Sequence, residues 1–270
     1  MTELTAAIYQ PLARDEIPSA RLDRLQAHLI DAGPSAFDLL LCPELFLSGY
    51  DVGEKIHQYA EPSDGPSLVR LADMATRYAT ALAVGYPERD GQSLYNAVAV
   101  VGKSGERLLD YRKRVLPPGY EGETFQPGRD VGVFDLSGCR IAVLVCYDVE
   151  FPEFVREAAL AGAEIILAPT ALKSKWAFVA RKMIPTRAFE NGVFLLYANH
   201  AGREGDSEYL GESVIVAPDG IELSIAGQGE EIIFHTLNEQ ELALARQTLP
   251  YLDVVAKKGL GVRPVQVPHK

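Results

Sequence analysis

The chain has 270 residues, 47% hydrophobic and 23% charged, which is enough to bury a sizeable core in one large α/β domain or two small ones. A formal net charge of -11 argues against nucleic acid as a partner, because phosphate binding needs Lys and Arg clustered on one face, and the run "YRKR" at 111–114 is too short to reverse it. Three cysteines, Cys42, Cys139 and Cys146, form neither an even disulfide framework nor a CxxC pair. The start "MTELTAAIYQP" lacks a charged region followed by an apolar one, and no apolar run reaches membrane-spanning length, so a cytoplasmic protein with no membrane partner is expected.

In chain order, Leu22, Leu25 and Leu29 share one helical face, and "FDLLLC" (37–42) reads as a strand. Leu68, Leu71, Ala75 and Tyr78 share a second helical face. The runs "ALAVGY" (81–86), "NAVAVV" (96–101) and "IAVLVC" (141–146) are strands, and "EFVREAALAGA" continues as a helix that ends at Gly162. "EIILAP" (164–169), "VFLLYAN" (193–199) and "SVIVA" (213–217) are further strands. A longer helix is expected from about Trp176 to Glu190, kinked or divided at Pro185. Asn238 and Glu241 have the spacing of a capping box that opens a helix. Several strands are apolar on both faces, as the middle of a layered sandwich requires. No composition break, repeat or linker divides the chain, so one domain over 1–270 is expected, with 248–270 as a C-terminal arm. Its tail "KKGLGVRPVQVPHK", with two prolines, reads as extended rather than helical.

Cys146 closes an apolar strand and "YDVEFPEF" follows, with Pro152 placed to open a helix. A nucleophile at such a turn is held rigidly at the strand's carboxyl end, where clefts form. The plainer alternative is a buried thiol that serves packing, which is also the reading of Cys42 and Cys139. A catalytic thiol needs a base. Of the five histidines, His28 lies on a surface-like helical position and His269 in the tail, while His57, His200 and His235 sit in no strong motif. A carboxylate can do the same work. In "LLLCPELFLSGY" (39–50), Glu44 follows a strand and would project from the sheet's end, where desolvation raises its pKa and makes it a usable base. Lys113, in "LLDYRKRVL", also ends an apolar run; an ammonium there would favour the thiolate and stabilise an oxyanion, or it is simply a solvated edge.

Taken together and in this order, "CPELFLSGY", "DYRKRVL" and "VLVCYDVEFPE" resemble the carbon-nitrogen hydrolase (nitrilase) superfamily, and the likeness continues through "GAEIILAPTA" and "RAFENGVFLLYANHAG". The resemblance implies a four-layer α-β-β-α sandwich, usually assembled as a homodimer or larger homo-oligomer through one helical layer, with the C-terminal arm at the interface. It implies Glu44 as general base, Lys113 as oxyanion stabiliser together with the Tyr147 N–H, and Cys146 as nucleophile. A second glutamate in "PPGYEGETFQPG" would orient Lys113; Glu121 fits the family spacing to Pro127-Gly128 better than Glu123.

The activity implied is that of a cysteine-dependent amidase releasing ammonia from small carboxamides through a thioester, with no metal or organic cofactor. Nitrilase and N-carbamoyl amine hydrolase use the same trio and stay open, as does a non-catalytic binding relative. Tyr50, Tyr147 and Trp176 are candidates to line the pocket, and Lys173 or Lys175 to meet a substrate carboxylate. Arg187, Glu190 and Asn191 read as a helix-bracing ion-pair group.

Overall fold

A computed structural model describes residues 3–260. The first half contains β1 (Glu3–Gln10), β2 (Leu12–Ala13), α1 (Pro18–Ala32), β3 (Leu39–Leu41), α2 (Lys55–Tyr59), α3 (Pro66–Tyr78), β4 (Ala81–Asp90), β5 (Ser93–Val101) and β6 (Arg107–Arg112). The middle adds α4 (Tyr120–Thr124), β7 (Gly132–Leu136), β8 (Cys139–Val143), α5 (Tyr147–Glu150), α6 (Pro152–Leu160), β9 (Ile165–Pro169) and α7 (Ile184–Asn191). The last part holds β10 (Phe194–Ala198), β11 (Ala201–Glu204), β12 (Ser207–Leu210), β13 (Val214–Val216), β14 (Glu222–Ile225), β15 (Glu231–Asn238), α8 (Glu239–Thr248) and α9 (Tyr251–Lys258).

Two six-stranded sheets form the centre, ordered β15-β1-β3-β4-β5-β6 and β14-β13-β10-β9-β8-β7, beside a small sheet β12-β11-β2. Side chains alternate across each strand and sort into layers. Leu4, Ala6 and Ile8 of β1 and Leu39 and Leu41 of β3 meet Ile165 and Leu167 of β9 and Phe194 and Leu196 of β10 between the sheets. The opposite face of the first sheet, with Ala7, Tyr9 and Leu40, packs on Leu22, Leu25, Leu29, Leu68 and Leu71 of α1 and α3. The opposite face of the second, with Ile166, Leu195 and Tyr197, packs on Val155, Ala159, Ile184 and Ala188 of α6 and α7. Strands covered on both sides must be apolar on both, so the architecture is the α-β-β-α sandwich.

Proline opens α1, α3, α6 and α7 at the first turn, where its missing N–H costs nothing. The helix expected over Trp176–Glu190 is present and is divided just before Pro185. A 3-10 turn at Ser174–Trp176 and a π-helical turn at Val179–Met183 come first, and Pro185 lies in the opening turn of α7, where the division falls. Asn238 caps α8 through the Gln240 amide at 2.7 Å. Within the C-terminal arm expected over 248–270, Thr248 ends α8 and Tyr251–Lys258 is helix; of the tail expected to be extended only 257–260 is described, and Lys257 and Lys258 belong to the end of that helix. Leu252 of that helix packs on the outer core and Tyr251 against Phe189, giving it an apolar face that the prolines further on do not interrupt. Residues 261–270 lie outside the described part.

Candidate active site

Three strand ends converge at one edge of the paired sheets. Beyond β3 the chain passes Cys42 and Pro43 to Glu44, and the backbone presses against β4 so closely that a Cβ on Gly85 would stand 2.4 Å from the Pro43 carbonyl oxygen and 2.6 Å from the Leu45 nitrogen. Only glycine permits that approach. Beyond β6, Lys113 keeps one more ladder bond, from its N–H to the Asn96 carbonyl at 2.8 Å. Beyond β8, Cys146 donates its N–H to the Pro169 carbonyl at 2.9 Å and caps α5 with φ 47° and ψ -103°, a left-handed backbone unusual for any residue but glycine.

Asp148 ties the second and third of these ends together. One carboxylate oxygen accepts from the N–H of Val115 at 2.8 Å and of Arg114 at 3.2 Å, and the other from the Tyr111 hydroxyl at 2.8 Å and the Val145 N–H at 3.2 Å.

Glu44, Lys113 and Glu121 are fully buried and bonded to one another. Lys113 Nζ donates to Glu44 Oε1 at 2.7 Å and to both oxygens of Glu121 at 2.7 Å. Asn96 Nδ2 bridges the two carboxylates, 2.7 Å from Glu44 Oε1 and 3.1 Å from Glu121 Oε2, and the Tyr50 hydroxyl donates to Glu121 Oε1 at 2.7 Å. Glu121 is therefore the glutamate in this cluster; Glu123 is exposed. Glu44 Oε2 is buried and has no hydrogen-bond partner among the described residues.

Burial pushes the Glu44 carboxyl up to about 7, with the Glu121 charge adding to the rise and Lys113 opposing it. Burial alone would lower the Lys113 ammonium, yet Glu44, Cys146 and Glu121 outweigh it and hold it well above its ordinary range. The thiol departs from expectation. Burial and the Glu44 charge push Cys146 up, and Lys113 with a hydrogen bond from Thr170 only partly opposes them. Lys113, already shared between two carboxylates, does not make a resting thiolate; the arrangement pairs a neutral thiol with a carboxylate able to take its proton.

Cys146 retains partial exposure to a cleft of 640 Å³. Tyr50, Tyr120, Glu121, Tyr147, Glu150, Lys173 and Trp176 line it, so all four expected pocket residues share the cleft that the thiol faces. Lys175 lies instead near the Trp176 ring, 5.3 Å from its centroid. Arg187 braces elements as expected, donating to the carbonyls of Val149 and Glu150 and pairing with Glu190 at 3.0 Å. Cys42 and Cys139 are buried in the cores. Asn96 and Asp148 were not singled out by sequence. The readable signal was a polar residue heading the apolar run "NAVAVV" and an acid two positions after the thiol.

Comparison with known proteins agrees with this geometry. The carbon-nitrogen hydrolase family model matches residues 5–247. The protein named "Hydrolase in pqqF 5'region" of Pseudomonas protegens is 42% identical, over 92% of this chain and 88% of its own. The Omega-amidase NIT2 of Danio rerio is 30% identical over 93% and 94%. Among solved structures, a cysteine-to-alanine mutant of the amidase from Nesterenkonia sp. AN1 in complex with butyramide superposes with a TM-score of 0.82 at 33% identity, covering 92% of this chain and 95% of that one. A glutamate-to-glutamine mutant of the same amidase shows Michael addition of acrylamide at the active site cysteine. The chain belongs to the carbon-nitrogen hydrolase family of the nitrilase superfamily, the hydrolases of carbon–nitrogen bonds.

Proposed function

We propose that the protein is a cysteine-dependent amidase that hydrolyses small carboxamides to the acid and ammonia through a thioester on Cys146. The observation that carries this reading is the unpartnered, buried Oε2 of Glu44, on a carboxyl raised to about 7, in a cluster shared with Lys113 beside a cleft-facing thiol.

In this reading Glu44 takes the thiol proton as sulfur attacks the amide carbon, and the carbonyl π pair moves to oxygen. Lys113 and the Tyr147 N–H, the first amide of α5 and free of an intrahelical partner, stabilise that oxyanion. The C–N bond breaks as Glu44 returns the proton to nitrogen, and ammonia leaves. Water then attacks the thioester, giving its proton to Glu44; the C–S bond breaks and the sulfur is reprotonated. Glu121 orients Lys113 throughout. Butyramide in the Nesterenkonia amidase and the omega-amidase name of the Danio relative support a small amide, which the cleft volume fits. The lining carries one cation, Lys173, and two acids, Glu121, which is bonded to Lys113, and Glu150, so amides bearing an anion or a cation belong among the substrates to be tried.

The test is ammonia release from neutral, anionic and cationic amides, N-carbamoyl amines and nitriles, beside Cys146→Ala. Release from amides that disappears in the variant is expected. Release from nitriles or carbamoyl compounds alone would overturn the amide reading.

A further inference from the structure

The loop from Glu44 to Tyr50 carries two groups of the site, one at each end, and both ends are held by the same distant hairpin. His200, buried between β10 and β11, has Nε2 2.8 Å from the Glu44 carbonyl oxygen. A carbonyl can only accept, so Nε2 bears the hydrogen and Nδ1 is bare; that second nitrogen is buried without a partner among the described residues. The next residue, Leu45, has φ 49°, so the Glu44 carbonyl leaves the chain in a turned backbone, between the bonds that Cys42 and Leu47 make to the Ala83 and Gly85 carbonyls of β4. Burial lowers the His200 ring to about 4, which keeps it neutral and its donor fixed.

At the other end of the loop, Glu204, the last residue of β11, accepts through Oε2 from the N–H of Tyr50 and of Asp51, each at 2.8 Å, and from the Tyr209 hydroxyl at 3.2 Å. Its Oε1 takes Arg21 Nη2 at 3.0 Å, and Arg21 is itself fully buried and bonded to the Arg14 carbonyl at 2.6 Å. The backbone crosses this ion pair at Gly49, φ 84°, where a Cβ would lie 2.2 Å from Glu204 Oε1. Tyr50, fixed in this way, reaches Glu121. Asn199 anchors the hairpin's start, accepting from the N–H of Leu172 and of His200 at 2.8 and 2.9 Å.

We infer that His200 and Glu204 are positioning residues for hydrolysis: His200 sets the backbone that aims the Glu44 carboxylate, and Glu204 with Arg21 sets Tyr50 and, through it, Glu121. The inference rests on the proposed role of Glu44 as base toward Cys146, so its test reads that step without an amide substrate. The rate of Cys146 modification by methyl methanethiosulfonate, which carries no amide, at pH 8 is compared in the parent, Glu44→Gln, His200→Leu, His200→Gln and Glu204→Gln, with folding followed by circular dichroism and kcat and KM measured on the best amide.

Glu44→Gln is expected to slow labelling, and His200→Leu to slow it about tenfold with a matching fall in kcat, since small displacements of a reacting group are costly. His200→Gln, which returns a donor near the Nε2 position, recovers most of that loss; a packing defect would not be repaired by donor chemistry. Glu204→Gln places an NH2 group against either Arg21 or the two amides, and raises KM as well as lowering kcat because Tyr50 is also a wall of the cleft. Parent-like labelling in Glu44→Gln defeats the reading of Glu44 as base. Slow labelling in Glu44→Gln but parent rates in folded His200→Leu and Glu204→Gln defeats this inference alone. Should His200→Leu not fold, Glu204→Gln decides the Glu204 half, and His200→Gln decides the His200 half: kcat and labelling within about threefold of the parent uphold it, and a loss as deep as that of Glu44→Gln overturns it.

Discussion

In the proposed mechanism Glu44 divides its work between its two oxygens. Oε1 is held by Lys113 and Asn96, which fixes the carboxylate, while Oε2 keeps the lone pair that a base needs. The raised carboxyl dictates a pH dependence whose sign can be worked out. A base must be unprotonated, so activity is lost as pH falls through about 7, and kcat/KM is expected to drop about tenfold per unit below that point and to level off above it. The thiol, pushed up by burial, contributes no second limb up to about pH 9. A profile measured from pH 5 to 9 checks this; constant kcat/KM down to pH 5 would remove Glu44 as the base. The sequence already showed that Glu44 follows a strand and would be desolvated. It could not show that the same burial raises the thiol, because that depends on how Lys113 is shared with Glu121 and on the Glu44 charge, both products of the assembled site.

At the scale of elements, the proposed catalytic groups sit not in the strands but one to three residues past their ends, and what aligns them is the tie between those ends. Asp148 is that tie for the Lys113 and Cys146 segments, filling its carboxylate with backbone donors from 114, 115 and 145 and with the Tyr111 hydroxyl. Asp148→Asn turns an amide NH2 toward these donors and is expected to cost about 3 kcal/mol, since a buried charged acceptor is lost and donors are stranded. Urea denaturation at pH 8 measures it, and a loss under about 0.5 kcal/mol would contradict the tie. Strands with continuous apolar runs, such as β9 and β10, were legible because they are covered on both faces. β15, with exposed Phe234 and a partly exposed inner stretch, was not, and neither was its pairing with β1, Glu3 opposite Asn238. His200 and Glu44 are 156 residues apart, and Tyr50 and Glu204 154. No local periodicity encodes such meetings, so the trio could be read from its motifs whereas the residues that hold it could not.

For the molecule as a whole, two sheets press their inner faces into one apolar core and leave the reactive groups at a common edge, so the chemistry stands on close packing. One feature runs against that stability. Cys146 occupies φ 47° and ψ -103°, a conformation in which a side chain costs about 1–3 kcal/mol and glycine almost nothing. Cys146→Gly is therefore expected to melt several degrees above Cys146→Ala, and above the active protein as well, a comparison that differential scanning calorimetry makes directly. An equal or lower melting temperature for the glycine variant would mean that the elbow is relaxed. The outcome expected here makes catalysis and durability rivals at a single position: selection for a longer-lived fold alone would replace the nucleophile, and its persistence marks function as the stronger demand on this chain.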